Sequence, residues 1–170
     1  MPNSDPEVRK PAIELIKNLP DIHKVLDIGV GYGYYGKTLK GIDSNINIYG
    51  IEIWPRYITD QLDYYKTIYL CNFLDFEYEK LSIDFDLVIL ADIIEHVPKD
   101  KAIYIINKLR SLYPRIVLTC PIIPYPQGPY EDNVYETHLH DWTISEVVED
   151  LGLQLVEDCG TCGLFMYTQR

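Results

Sequence analysis

Short apolar runs alternate along the chain with stretches whose apolar residues recur at helical spacing. This alternation predicts repeated βα units, and therefore an α/β fold with a parallel sheet covered by helices on both faces. The predicted strands are 24–28, 46–53, 66–71, 85–90, 115–120, 153–156 and 164–168, and the predicted helices are 7–19, 34–40, 55–62, 99–112 and 143–151. We expect a single domain over residues 1–170, with its N-terminal helix inside residues 1–22.

Residues 121–142 interrupt this pattern between the fifth strand and the last helix. The segment contains four prolines and is too long for an ordinary connection. Because long loops in compact domains usually serve as lids or binding segments, we expect it to cover the site or to bind an acceptor.

The first strand ends in a glycine loop, Asp27-Ile28-Gly29-Val30-Gly31-Tyr32-Gly33, which opens the second helix. Glycines there let the backbone turn sharply and approach a nucleotide-like cofactor. Glu52, at the end of the second strand, is placed to bind ribose hydroxyls. These features suit either a nicotinamide dinucleotide or S-adenosylmethionine, and Gly31, Gly33 and Gly36 also satisfy G-x-G-x-x-G.

Asp27 favours S-adenosylmethionine. A dinucleotide would bring a pyrophosphate to the loop, and a nearby carboxylate would repel that anion. S-adenosylmethionine instead carries a sulfonium and an ammonium group, for which a carboxylate is a favourable neighbour.

Two motifs resemble those of the class I S-adenosylmethionine-dependent methyltransferases. Asp27-x-Gly29-x-Gly31-x-Gly33 is similar to the first motif of the family. The run from Phe85 to Pro98, which reads FDLVILADIIEHVP, is similar to its fourth motif in the "FDLV…D…EHV" form of the small-molecule enzymes. The resemblance covers about Val25 to the end of the chain. It implies a Rossmann-like open sheet of seven strands, mostly parallel, with an antiparallel C-terminal strand.

The resemblance also implies the cofactor contacts. Ile53 would lie on the adenine face, Asn72 and Phe73 would flank the adenine, and Ala91 and Asp92 would face the amino group and the acceptor. The full set of expected cofactor-binding residues is Asp27, Gly29, Gly31, Tyr32, Gly33, Glu52, Ile53, Asn72, Phe73, Ala91 and Asp92.

A general base is needed only if the acceptor must lose a proton, and histidine suits that role near neutral pH. Three of the four histidines, His96, His138 and His140, follow predicted strand ends. The alternative for His96 and Glu95 is a pair that caps the next helix. Histidines and acids in residues 136–142 could bind a metal, but we favour a lid without one. Aromatic residues of this segment would line the acceptor pocket: Tyr125, Tyr130, Tyr135 and Trp142.

The formal net charge of −11 disfavours nucleic acid as a partner, because nucleic acid is held mainly by lysine and arginine. No apolar stretch is long enough for a membrane span and no secretory signal is visible, so we expect a cytoplasmic protein. Four cysteines with only one close pair, Cys159 and Cys162, do not make a zinc site.

The sequence thus predicts a methyltransferase that transfers a methyl group from S-adenosylmethionine to a small-molecule acceptor. The alternatives are a nicotinamide-dependent oxidoreductase, which Asp27 opposes, and a domain that binds S-adenosylmethionine without catalysis.

Overall fold

The computed structural model describes residues 5–169, which form one seven-stranded sheet with helices packed on it. The strands are β1 (Lys24–Ile28), β2 (Asn47–Glu52), β3 (Tyr65–Leu70), β4 (Leu87–Ala91), β5 (Arg115–Pro121), β6 (Gln154–Asp158) and β7 (Cys162–Thr168). The helices are α1 (Pro6–Lys17), α2 (Tyr34–Ile42), α3 (Lys99–Leu112) and α4 (Ile144–Glu149), and single 3-10 turns cover Pro55–Tyr57, Asp60–Leu62, Tyr78–Lys80, Ile94–His96 and Val134–Glu136.

The strand order is β3-β2-β1-β4-β5-β7-β6. Strands β1 to β5 are parallel, and β7 runs antiparallel to both β5 and β6. The predicted Rossmann-like sheet with an antiparallel C-terminal strand is therefore confirmed. The central strands β4 and β5 are almost wholly buried, as expected for parallel strands covered on both faces.

The core is divided by the sheet into two layers. Apolar residues of α1 and α2 pack on one face, and apolar residues of α3 and α4 pack on the other. Across residues 5–169, none of the helices combines the length and the apolar composition that a membrane crossing requires.

One predicted helix, 55–62, is absent from the described structure. Two separate 3-10 turns replace it, and Ile58 and Thr59 between them are extended. Both residues are β-branched, which disfavours a helix. Tyr57 is also held in the interior, where its hydroxyl donates a hydrogen bond to Glu136.

The strand order reverses between β1 and β4, which are neighbours in the sheet but distant in the chain. The connections that follow these two strands leave on opposite faces and open a crevice at their carboxyl ends. Backbone hydrogen bonds continue past the strands and fix this edge: Gly29 N–H donates to the Ile51 carbonyl at 2.8 Å and Asp92 N–H to the Thr119 carbonyl at 2.9 Å.

Trp142 belongs to the core rather than to the acceptor pocket. Its side chain is only 1% exposed and packs in the layer formed with α3 and α4. The ring of His140 lies edge-on to it, with ring centroids 4.7 Å apart. The predicted role of Trp142 as a pocket wall is thus corrected. The indole lies two residues before α4 and fills volume in the core beneath it.

Trp142→Ala should lower the free energy of unfolding by about 3–5 kcal/mol, because it leaves a cavity in the core. Chemical denaturation followed by circular dichroism measures the change. The matched control is Tyr125→Ala, at an exposed aromatic of the same part of the chain, and its effect should stay within about 0.5 kcal/mol. Equal losses in the two variants would contradict the assignment of Trp142 to the core.

Candidate functional site

A cavity that opens to solvent lies at the carboxyl ends of β1, β2 and β4. Its walls come from five parts of the chain, and the lining residues are Gly29, Val30, Gly31, Tyr34, Tyr35, Ile51, Glu52, Ile53, Tyr57, Cys71, Asn72, Phe73, Ala91, Asp92, Ile93, His96, Val97, Asn133, Tyr135 and Glu136.

The glycine loop contributes Gly29 and Gly31 to the cavity, but not Gly33. Gly29 has φ +78°, and a Cβ at this position would collide with the side chain of Ile93. Gly33 has φ +74°, and a Cβ there would meet Leu62 and Tyr64, which precede β3. Gly29 therefore keeps the loop close to the β4 connection, whereas Gly33 allows the start of α2 to pack against the segment before β3.

Glu52 lies at the floor of the cavity and is 5% exposed. One carboxylate oxygen accepts a hydrogen bond from Gly31 N–H at 2.8 Å, and the other accepts from Trp54 N–H at 2.7 Å. Burial raises the pKa of Glu52, while these amide donors oppose the rise. Since a carboxylate has about four acceptor positions, the side chain can still accept hydrogen bonds from a ligand.

An apolar wall with one amide group stands on the β2 and β3 side. Ile53 follows β2, and Asn72 and Phe73 follow β3. The Asn72 Oδ1 accepts a hydrogen bond from Leu74 N–H at 2.9 Å, which fixes the side chain. The structure thus brings together the three residues that the sequence placed around an adenine.

Asp27 does not line the cavity. Its side chain points to the face covered by α2, where it accepts a hydrogen bond of 2.5 Å from the Tyr65 hydroxyl. Burial, opposed in part by that hydrogen bond, raises the pKa of Asp27 to about 7. At neutral pH this carboxyl is thus only partly charged, which weakens the electrostatic reason for choosing between the two cofactors.

The carboxyl end of β4 brings Asp92 into the cavity in an unusual backbone conformation. Asp92 has φ +54°, a region that non-glycine residues rarely occupy and that costs on the order of 1–3 kcal/mol. The Thr119 hydroxyl donates to its Oδ1 at 3.1 Å. The turn directs the next residue, Ile93, against Gly29.

A buried hydrogen-bond network that the sequence did not predict closes the far side. The Tyr57 hydroxyl donates to a Glu136 carboxylate oxygen at 3.0 Å, and the Asn133 side-chain amide donates to the Tyr57 hydroxyl at 3.2 Å. Asn133 is 3% and Glu136 8% exposed. The Asn133 carboxamide oxygen also accepts from Tyr135 N–H at 3.0 Å, so it caps the following 3-10 turn. The only sequence feature that pointed to this network was Asn133, a residue type that often precedes and caps a turn.

Two of the predicted histidines lie together beside the cavity. His96 is one of its lining residues, and its ring centroid lies 4.9 Å from that of His138. Burial and the neighbouring His138 lower the pKa of His96 to about 4, and burial also lowers that of His138. Both rings are therefore neutral at physiological pH.

The alternative role of Glu95 and His96, a pair that caps the next helix, is not observed. Pro98 is the N-cap residue of α3, and no side chain makes a capping hydrogen bond there. Glu95 is 2% exposed, and neither carboxylate oxygen has a hydrogen-bond partner among the described residues. Burial and repulsion from Asp92 raise the pKa of Glu95 well above its ordinary value.

The remaining predicted residues lie outside the cavity lining. Tyr32 is half-exposed and packs edge-on against Tyr57. Tyr125 is exposed, and Tyr130 forms an isolated β-bridge with Asn133. His140 packs on Trp142, with its Nε2 3.3 Å from a Glu146 carboxylate oxygen. Of the four aromatic residues expected in the acceptor pocket, Tyr135 alone lines the cavity.

Comparison with known proteins shows the family to which the chain belongs. The model of a family described as a methyltransferase domain matches residues 26–115, just over half of the chain, and the chain belongs to this family. Together with the fold, the match defines a class I methyltransferase, and its cofactor is S-adenosylmethionine. No curated protein is similar enough in sequence to match.

Solved structures share this fold at low sequence identity. A protein from Nostoc punctiforme described as an O-methyltransferase is 16% identical, with a TM-score of 0.68 over 96% of this chain and 57% of its own. DhpI, in a complex titled DhpI-SAM-HEP, is 14% identical, with a TM-score of 0.70 over 96% of this chain and 86% of its own. The small RNA methyltransferase HEN1 is 14% identical, with a TM-score of 0.73 over 96% of this chain and 25% of its own. The chain thus spans little more than half of the Nostoc protein.

Asp27→Asn should stabilise the protein at pH 8 and have little effect near pH 4. In the folded protein the pKa is about 7 against 3.8 ordinarily, so the folded state binds the proton more tightly. The resulting stability is fully present below pH 3.8 and is lost as the pH rises through 7. The variant stays neutral, accepts the same Tyr65 hydrogen bond, and avoids a loss on the order of 2–4 kcal/mol.

Urea denaturation of both proteins from pH 4 to 8 measures the difference. The exposed Asp63 supplies the control, since Asp63→Asn should leave the pH profile of the wild type unchanged. A gap between wild type and Asp27→Asn that does not vary with pH would contradict the raised pKa.

Proposed function

We propose that the protein transfers a methyl group from S-adenosylmethionine to a small-molecule acceptor held between β4 and residues 133–136. The observation that supports this function is the continuity of the cavity. Gly29, Gly31, Glu52, His96 and Glu136 all line this one cavity. The residues that we assign to the cofactor therefore share a single space with those that we assign to the acceptor.

The residues of the cavity fit S-adenosylmethionine. The acceptor positions left on Glu52 suit the two ribose hydroxyls, and the flat apolar space between Ile53 and Phe73 suits the adenine. The carboxyl of Asp92 would face the cationic methionine end, for which a negative charge is favourable. We assign cofactor binding to Gly29, Gly31, Glu52, Ile53, Asn72, Phe73, Ala91 and Asp92, all of which line the cavity.

S-adenosylmethionine supplies an activated methyl group on its sulfonium. The role of the protein is then to align an acceptor with that group, because in-line displacement depends strongly on proximity and orientation. The buried network of Tyr57, Asn133 and Glu136 gives the acceptor side a fixed wall, and Tyr135 adds an aromatic surface to it. Residues 133–136 therefore act as a docked wall whose contacts with the cavity are already made.

The cavity as a whole is acidic. Glu52, Asp92 and Glu136 all line the cavity, and the chain as a whole carries a formal net charge of −11. Such a field attracts cationic molecules, accepts neutral ones without repulsion and repels phosphates. We therefore infer a neutral or cationic small molecule as the acceptor, and not a nucleic acid.

His96 and His138 are the two histidines at this end, whereas His140 is engaged with Glu146 and Trp142. A neutral imidazole can accept a proton. Because the pKa of His96 is about 4, its ring is a weak base at neutral pH. A function other than simple proton removal therefore suits this pair better.

Glu52→Gln should weaken binding of S-adenosylhomocysteine by about 10- to 100-fold, because charge-assisted hydrogen bonds to the ribose are lost. Isothermal titration calorimetry measures the affinity, and urea denaturation without ligand shows whether the variant is folded. The control is Glu157→Gln, an exposed residue on β6, which should bind like the wild type. Unchanged affinity in Glu52→Gln would show that Glu52 serves the loop alone.

The cofactor class can be tested by thermal shift. A ligand that binds only the folded state at 100 times its Kd stabilises that state by about 2.7 kcal/mol. S-adenosylhomocysteine should raise the melting temperature, and NAD at the same concentration should leave it unchanged. A rise with NAD and none with S-adenosylhomocysteine would reverse the cofactor assignment.

Turnover distinguishes an enzyme from a silent binder. Release of S-adenosylhomocysteine should appear with neutral or cationic members of a panel of small alcohols, phenols, amines and thiols. A short single-stranded RNA should give no turnover. Turnover with the RNA and none with the panel would contradict the acceptor class that the acidic cavity indicates.

A further inference from the structure

Three side chains beside the cavity have no role in cofactor binding: Glu95, His96 and His138. One carboxylate oxygen and one nitrogen of each histidine all lie within 4.8 Å of one another. We refer to these residues as the EHH cluster. The sequence pattern offered metal ligands only within residues 136–142, where a lid without a metal was favoured. The structure brings Glu95 and His96 to His138 as well.

The unpaired carboxylate of Glu95 is the first indication that the cluster binds a ligand. A buried carboxylate normally accepts hydrogen bonds, and leaving one without partners costs several kcal/mol. Both oxygens of Glu95 lack a partner among the described residues, although the side chain is only 2% exposed. A cation held among the three side chains would supply the missing interaction.

The histidines give the second, independent sign. Nδ1 of His96 lies 3.2 Å from the Thr137 carbonyl oxygen, and Nδ1 of His138 lies 2.7 Å from the Tyr125 carbonyl oxygen. A carbonyl oxygen only accepts, so both Nδ1 atoms carry the hydrogen and both Nε2 atoms keep a lone pair. Metal-binding histidines are typically oriented in this way, with the second nitrogen donating to a carbonyl or carboxylate.

The backbone holds the cluster together across a long stretch of chain. Leu139 N–H donates to the Glu95 carbonyl at 2.7 Å, and His140 N–H donates to the same oxygen at 3.3 Å. His138 N–H donates to the Gln127 carbonyl at 2.9 Å. His138 is therefore placed beside Glu95 and His96 by main-chain contacts, before any ligand is bound.

We propose that the EHH cluster is a binding site for a divalent transition-metal ion. Two imidazoles and one carboxylate suit Zn²⁺, Mn²⁺, Fe²⁺, Co²⁺ or Ni²⁺, and bonds of about 2.0–2.2 Å to such ligands require only small side-chain movements. Three protein ligands leave at least one coordination position open, as in metal sites that also bind a substrate or water.

An ion bound by the EHH cluster would lie at the wall of the cavity, because one of its three ligands lines it. His96 and Glu136 both line the cavity. An ion bound there would contact an oxygen or nitrogen of the acceptor and would lower the pKa of a coordinated hydroxyl or water. This part of the inference rests on the proposed function, whereas binding of the ion does not.

The test is direct metal binding, without cofactor or acceptor. The tag-free protein is treated with chelator and titrated with Co²⁺, and the visible absorption of bound Co²⁺ and calorimetry report binding. We expect one saturable site per chain and loss of the absorption when Zn²⁺ is added. His138→Ala and Glu95→Gln should each weaken Co²⁺ binding by at least about 10-fold.

His23→Ala is the matched control, because this exposed histidine lies at the opposite edge of the sheet. It should bind Co²⁺ like the wild type. Glu95→Gln keeps the size and shape of the buried side chain, so without metal it should be about as stable as the wild type in urea denaturation. Metal binding that is absent in the wild type, or equal in the wild type and His138→Ala, would overturn the proposed site.

Calorimetry with S-adenosylhomocysteine separates this result from the proposed function. His138→Ala should retain the affinity of the wild type for S-adenosylhomocysteine, because His138 does not line the cavity. If metal binding fails and cofactor binding persists, the metal site alone is refuted. If cofactor binding fails while Co²⁺ binds, the proposed function is refuted and the metal site remains.

Discussion

Two backbone amides from different loops converge on the carboxylate of Glu52. Gly31 belongs to the loop after β1, and Trp54 belongs to the connection after β2. Without a shared acceptor these amides would be partly buried and unpaired, which costs on the order of 1–3 kcal/mol each. The same residue that would bind the cofactor ribose therefore also shapes the loop that approaches the cofactor. Binding and architecture cannot be separated at this position.

Much of the fold could be predicted because its signals are local. The strand at 24–28 and the helix at 99–112 were predicted with their observed limits. In both, the apolar pattern agrees with burial on the face that the sheet covers. The helix predicted at 55–62 failed because Tyr57 is held by Asn133 and Glu136, which lie far away in the chain. No local pattern contains that information.

The site was predictable where it follows directly from strand ends, as for Gly29, Glu52 and Asp92. The direction in which the side chains point could not be predicted in the same way. Asp27 alternates to the α2 face of β1, so its carboxyl reaches Tyr65 and not the cavity. Asp27 thus favoured the cofactor that the family assigns, but its carboxyl does not line the cavity in the structure.

The carbonyl of Glu95 accepts two amide hydrogen bonds and so pins residues 139 and 140 beside the cavity. Residues 133–136 are held by the buried hydrogen bonds of Tyr57, Asn133 and Glu136. The chain is thus anchored on both sides of His138, so the position of that imidazole does not depend on what occupies the cavity.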